Sequence, residues 1–135
     1  MNPPAIHLFL GLDTRAPSRA RLAMRSGLEN VLEAEVLDRA TLLVSELVTN
    51  SVRHGGLRPG QEIELTVDAS PQRLRVEVAE PGDGFDFAPA RRPRREDPEG
   101  GWGLFLVDRL SSAWGVEGNG VTRVWFEMGP LGLTG

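Results

Sequence analysis

The sequence predicts an α+β fold of two layers, in which one mainly antiparallel, mixed sheet carries helices on a single face. Three observations support this prediction. Apolar residues recur with the helical period over two segments in the first half of the chain. Shorter segments before and after them alternate apolar and polar side chains, as half-buried strands do. The resulting order, β-α-α-β-β-loop-α-β-β, is typical of a two-layer sandwich.

The first half of the chain is predicted to hold one strand and two helices. Ile6–Leu12 is the strand, and a helix follows from an N-cap at Ser18 to about Asn30. The apolar residues of this helix are Ala20, Leu22, Ala23 and Leu28. A longer helix is predicted from about Ala34 to His54, where Gly55-Gly56 can supply a left-handed C-cap.

The second half is predicted to be mostly strand. Glu62–Val67 and Arg73–Val78 alternate with period two and form a hairpin. Residues 81–101 have no periodicity and are rich in Gly, Pro, Asp and Arg, so they form either a functional loop or a disordered segment. A helix is then predicted from Leu104 to Leu110, followed by a hairpin that ends at Met128.

Composition limits the possible functions. The 135 residues are predicted to form one domain, and 40% are hydrophobic and 25% charged, as in soluble globular proteins. The absence of cysteine excludes disulfides and thiolate chemistry. All 15 basic residues are arginines, which excludes lysine nucleophiles and a P-loop lysine. The net charge of -4 argues against a nucleic-acid partner. No signal or membrane-spanning pattern is present, and a cytoplasmic location is expected.

A polar stripe borders the apolar arc of the second predicted helix. It contains Arg39, Glu46, Asn50 and Arg53. Glu46 and Asn50 are four residues apart, so both can reach one small ligand or ion. Their oxygens suit Mg²⁺, and Glu46 could instead act as a general base. An ordinary solvated helix border would have the same pattern.

Two glycine-rich segments follow. Val78–Phe85 comes directly after a strand, and its glycines allow the backbone to approach a ligand while Glu80 could accept a hydrogen bond from an exocyclic amine. Gly100–Leu104 precedes the third helix, where free N–H groups could bind a phosphate. Each segment alone also fits an ordinary turn. The occurrence of all three ligand-binding patterns in this order is harder to attribute to chance than any one of them alone.

The order and spacing of these segments resemble the Bergerat-fold (GHKL) ATP-binding superfamily, which includes gyrases and histidine kinases. More narrowly, the chain resembles the stand-alone anti-sigma-factor serine/threonine protein kinases. The matching motifs are Leu43–Gly55 for the N-box, Glu80–Phe85 and Gly101–Val107 for the two glycine boxes, and Val121–Glu127 for the last strand. The resemblance covers about residues 6–128 and implies one ATPase domain over residues 1–135, with an ATP lid at about 86–100.

The resemblance implies a role for each matching residue. Asn50 would bind the Mg²⁺ that bridges the ATP phosphates, and Glu46 would activate the hydroxyl of a target serine. Arg53 and His54 would border the phosphates, and Thr122 would help to hold the adenine. The other nucleotide-binding residues would be Glu80, Gly82, Gly84, Gly101, Gly103 and Leu104. The family's first glycine box normally opens with Asp, whereas Glu80 is one methylene longer.

The resemblance also implies partners. A kinase of this group would sequester a sigma factor and phosphorylate an anti-anti-sigma (STAS-type) protein, and such proteins commonly dimerise. No membrane partner is expected. The alternatives are a nucleotide-dependent binding switch without kinase activity and a degenerate scaffold that binds no nucleotide. A sensor histidine kinase is disfavoured, because no dimerisation helix with a phospho-accepting histidine precedes the domain.

Overall fold

The computed structural model describes residues 4–11, 13–54, 60–81, 102–118 and 120–131. Its elements, in chain order, are β1 (Ile6–Gly11), α1 (Ala16–Leu28), α2 (Ala34–His54), β2 (Glu62–Ala69), β3 (Leu74–Pro81), α3 (Trp102–Leu110), β4 (Ala113–Gly118) and β5 (Val121–Met128). This order confirms the predicted succession of strands and helices. The bounds of α2 are those that the sequence predicts.

The five strands form one sheet in the order β1-β2-β3-β5-β4. All four pairings between these strands are antiparallel, so the predicted α+β fold is confirmed, with no parallel pair in the sheet described. β3 lies at the centre of the sheet. Its neighbours are β2, the preceding strand in the chain, and β5, the last strand, so the middle of the sheet joins segments that are distant in sequence.

The helices cover one face of the sheet. The inward residues of β2 and β5 alternate with outward ones, and Ile63, Val67 and Phe126 are fully buried. α2 contributes Ala40, Val44 and other residues at helical spacing to the same core. Within the described ranges, no helix has the length and apolar character needed to cross a membrane.

The start of α1 differs from the prediction. The helix begins at Ala16 with a proline in its first turn, and Ser18 is not its cap. The Asp13 carboxylate instead accepts a hydrogen bond of 2.7 Å from the Arg15 backbone N–H. Leu22 is 68% exposed, because it lies on the side of α1 opposite the core residue Ala20.

Three elements are longer than predicted. β3 continues through Glu80 and Pro81, although the alternation of apolar inward residues ends at Val78. α3 begins at Trp102, so Gly103 belongs to its first turn. β4 begins at Ala113 because it pairs with β5 along the strand. Cross-strand hydrogen bonds extend a strand through residues whose side chains give no alternation signal.

The outer face of the sheet carries polar and aromatic side chains. The Arg75 guanidinium lies 5.1 Å from the centre of the Trp125 ring. A Cβ atom at Gly115 would lie only 2.8 Å from the Trp125 Nε1 atom, so a glycine is required beside this ring. The charged and aromatic groups here are separated by the sheet from the helix-covered face.

Candidate functional site

Glu80 and Thr122 lie directly opposite each other on neighbouring strands. They are register partners in the antiparallel pairing of β3 with β5. The next inward pair in the same ladder is Val78 with Val124, and all four side chains are buried. Both predicted adenine contacts therefore lie on the helix-covered face, at the end of the apolar ladder.

Glu80 is a buried acid with an unsatisfied oxygen. The residue is 2% exposed, and its Oε2 atom has no hydrogen-bond partner among the described residues. Desolvation by burial raises the pKa of Glu80 from its ordinary 4.5 to about 7. A buried polar atom without a partner is rare in folded proteins and marks a position where a ligand can donate a hydrogen bond.

Because Glu80 is buried, we expect the stability of the protein to depend on pH, and we expect Glu80→Gln to remove this dependence. Between pH 4.5 and pH 7 the folded protein retains a proton that the unfolded chain has lost, because the folded-state pKa of Glu80 is about 7. The free energy of unfolding should therefore fall as the pH rises through this window. Relative to Glu80→Gln, we expect the wild type to lose about 2 kcal/mol between pH 5 and pH 8.

Urea unfolding of both proteins at several pH values measures this difference. Glu77→Gln is the matched control, because Glu77 lies on the same strand with its side chain on the outer face, 3.8 Å from Arg75. Parallel curves for the wild type and Glu80→Gln would contradict the expected burial of an acid at this position.

The polar stripe of α2 is buried to different depths. Asn50 is 8% exposed, and Glu46 is half-buried. Arg39 and Arg53, at the two ends of the stripe, are exposed. The amide of Asn50 is thus held inside the protein, whereas the Glu46 carboxylate, one turn earlier, lies between the interior and solvent.

The contacts of α1 show which flank of α2 carries this stripe. Arg21 donates a hydrogen bond of 2.8 Å to the Ser45 hydroxyl, and Arg25 forms an ion pair of 3.1 Å with Asp38. At about 100° per residue, Ser45 and Asp38 both lie roughly 120–140° around the helix axis from Asn50. Asn50 therefore lies on the side of α2 away from these contacts with α1.

The beginning of α3 supplies the third part of the predicted site. α3 begins at Trp102, and Gly103 lies in its first turn, where backbone N–H groups have no partner within the helix. Val107, one turn later, is fully buried and holds the helix against the core. Gly82, Gly84, Gly101, the predicted lid and the side chains of His54 and Leu104 lie outside the described residues.

These groups fit a nucleotide with its metal. Glu80 presents an oxygen that can accept a hydrogen bond from the amino group of adenine. Asn50 presents an amide oxygen, a hard ligand that suits Mg²⁺. The first turn of α3 directs N–H groups and the positive end of the helix dipole towards an anion. Because α2 packs against β3, Asn50 and Glu80 lie on facing layers.

Sequence reasoning did not detect that Glu80 and Thr122 are paired. The alternation pattern ends before Glu80, and no local signal gives the register between strands that are 40 residues apart. No pattern in the sequence marks Glu80 as a strand residue, because its burial and its place in the ladder are visible only in the folded structure.

A second concave surface lies at the other end of β3. This groove of about 580 Å³ is lined by Ala5, Asp68, Ala69, Ser70, Arg73, Arg75 and Glu127. Asp68, Arg75 and Glu127 are register neighbours on the outer face of the sheet. The groove is therefore separated from Glu80 by both the length of β3 and the thickness of the sheet.

Comparisons with known proteins agree with this geometry. Residues 13–128 match the profile of the histidine kinase-like ATPase domain. The fold is similar to the histidine kinase domain from the Erythrobacter litoralis EL346 blue-light activated histidine kinase, with a TM-score of 0.55 and 24% identity. The match covers 86% of this chain and 63% of the other, so this chain spans less than two thirds of that protein's length. No match was found among curated proteins.

Proposed function

Because the chain belongs to the family of histidine kinase-like ATPase domains, we propose that it binds ATP with Mg²⁺ and regulates a partner protein. The observation that carries this proposal is the Glu80–Thr122 pair. It places a buried acid with an unsatisfied oxygen opposite a buried hydroxyl residue on the helix-covered face of the sheet. In this arrangement the Glu80 oxygen can accept a hydrogen bond from the amino group of adenine, and apolar side chains can surround the adenine ring.

The residues of α2 support the metal-binding part of the proposal. The amide oxygen of Asn50 would hold Mg²⁺, and Arg53 would lie on the phosphate side, three residues further along the helix. Mg²⁺ supplies charge neutralisation to the phosphates when it is bound. Gly101 and Gly103, with Leu104, would place the start of α3 against the phosphates, and His54, Gly82 and Gly84 would complete the nucleotide contacts.

We further propose that the protein is an ATP-dependent serine/threonine protein kinase. Glu46 lies one turn from Asn50 and is half-buried, so its carboxylate can reach solvent. It would accept the proton of a serine hydroxyl as that oxygen bonds to the γ-phosphorus, while the bond from the γ-phosphorus to the β–γ bridging oxygen breaks and ADP leaves. The resemblance to anti-sigma kinases suggests the partners: a sigma factor that is sequestered and an anti-anti-sigma protein that is phosphorylated.

Mg-ATP is expected to raise the melting temperature of the protein. A ligand at about 100 times its Kd adds about 2.7 kcal/mol to stability, which corresponds to roughly 8 °C for a domain of this size. GTP is the matched control ligand, because it has the same phosphates but a carbonyl oxygen where adenine has its amine. Thermal unfolding with each nucleotide, with and without Mg²⁺, measures the effect.

The outcomes separate the candidate functions. No thermal shift with Mg-ATP would contradict both the kinase and the binding switch, and would favour a scaffold without nucleotide. If ATP raises the melting temperature but its labelled γ-phosphate is not transferred to the STAS-type partner, the kinase is contradicted and the binding switch remains. Equal shifts by ATP and GTP would contradict adenine recognition at Glu80.

A further inference from the structure

Among the described residues, few charges lie on the face of the sheet that carries the Glu80 carboxyl group. On β5 it faces Thr122, and on the β2 side the nearest inward residue is the fully buried Ile63. The described inward residues of β2 and β5 are all uncharged. In the described helix layer, the charged residues of the stripe of α2 are Arg39, Glu46 and Arg53, and those of α3 are Asp108 and Arg109.

None of these charged helix residues is buried, since Glu46 is half-buried and the others are exposed. Burial is the cause that raises the pKa of Glu80 to about 7. His54 ends the same helix, and its side chain lies outside the described residues. A hydrogen-bond donor that enters the site can therefore decide the protonation state of Glu80.

We propose that nucleotide binding at this site is coupled to the loss of the proton from the Glu80 carboxyl group, so that ATP affinity rises with pH. The inference rests on the proposed binding of ATP at Glu80 and adds a form of regulation to it. The proton passes to solvent, and the carboxylate that remains accepts a hydrogen bond from the amino group of adenine. The protein would then hold ATP less tightly in an acidified environment.

The direction of the coupling follows from the hydrogen-bonding capacity of the two groups. The amino group of adenine is a donor, and an ionised carboxylate is an acceptor on both oxygens. Hydrogen bonds to an ionised acceptor are about twice as strong as those between neutral groups. Donation to Glu80 therefore favours its ionised form, and lowers the pKa of the group when the nucleotide is bound.

The size of the effect follows from linkage. The pKa of Glu80 is about 7 in the free protein and would be much lower in the complex. At pH 6 most free molecules therefore carry the Glu80 proton and must lose it on binding, whereas at pH 8 few molecules carry it. The affinity at pH 6 is then about tenfold lower than at pH 8. Burial produces this effect, because the Oε2 atom, which has no hydrogen-bond partner among the described residues, lies where solvent does not stabilise its charge.

Calorimetry in two buffers of different ionisation enthalpy counts the protons released on binding. The ligand is a non-hydrolysable ATP analogue with saturating Mg²⁺, which keeps the terminal phosphate ionised before it binds. We expect the wild type to release close to one proton at pH 6 and close to none at pH 8. Glu80→Gln should release close to none at either pH, and the control Glu77→Gln should behave as the wild type.

Infrared difference spectroscopy provides a second measurement that does not require the variant to bind. At pH 6, the free wild type should show a carboxylic-acid C=O band that free Glu80→Gln lacks, and the analogue should remove this band from the wild type. Equal proton release by the wild type and Glu80→Gln, or a band that persists in the complex, would overturn the coupling. Proton uptake on binding would also overturn the coupling, because it would show that the protonated form of Glu80 binds adenine. No binding at any pH would overturn the proposed ATP site itself.

Discussion

Replacement of Glu46 by Gln is expected to lower the rate of phosphoryl transfer by about 100- to 10,000-fold, the usual contribution of a general base. Gln retains the size of the side chain and one acceptor oxygen, but it cannot take the proton of a serine hydroxyl. ATP affinity should stay within about twofold of the wild type, because Glu46 would contact the acceptor hydroxyl rather than the nucleotide. Single-turnover transfer of labelled γ-phosphate to the STAS-type partner measures the rate.

Glu35→Gln is the matched control for this experiment. Glu35 is an exposed glutamate in the first turn of the same helix, so its replacement removes the same charge from α2 without altering the stripe. The control should transfer phosphate at the wild-type rate. If Glu46→Gln also transfers at that rate, Glu46 is not the base, and the half-buried position of its carboxylate has another cause.

Replacement of Asn50 by Ala is expected to weaken Mg-ATP binding by about 100-fold, since interactions with charged groups contribute about 1.5–3 kcal/mol. The effect should largely disappear when Mg²⁺ is removed with a chelator, because the amide oxygen would bind the metal rather than the nucleotide. Calorimetric titration with ATP, in Mg²⁺ and in chelator, measures both affinities. The ratio of the two affinities is the decisive quantity, since general damage to the fold would weaken both alike.

Two variants serve as controls for Asn50→Ala. Asn30→Ala removes an exposed asparagine from the turn after α1 and should keep the wild-type ratio. Asn50→Asp retains an oxygen ligand and should preserve the dependence on Mg²⁺. A wild-type ratio in Asn50→Ala would contradict the assignment of Asn50 to the metal and would make its burial a structural feature of α2.

Much of the fold could be predicted from local patterns. The apolar period of α2 is long enough to define both ends of the helix, and the alternation in β2 and β5 identifies them as strands. The errors lie at element boundaries. Ser18 is a suitable cap by residue type, but α1 begins at Ala16 with Arg15 as its N-cap residue, and no side chain caps the helix. The Asp13 carboxylate bonds to the Arg15 N–H in the turn before the helix, and the geometry of this turn sets where the helix begins.

The candidate site was predicted in part. The sequence identified Glu46 and Asn50 as neighbours because helical spacing is a local property. Their different depths could not be predicted, since these depend on how α1 and α3 pack against α2. Arg21 and Arg25 anchor α1 on one flank of α2 and leave Asn50 on the other. No pattern within α2 contains that choice.

The sequence by itself determined the succession of helices and strands, the polar stripe of α2 and the glycine-rich segments, because each of these is recorded in residues close together in the chain. Tertiary structure alone decided that Glu80 belongs to β3, that it lies opposite Thr122, and that its Oε2 atom is buried with no hydrogen-bond partner among the described residues. These features depend on strand register and on the packing of helices over the sheet. Such long-range contacts set the solvation of an ionisable group, and hence what it can bind and at which pH.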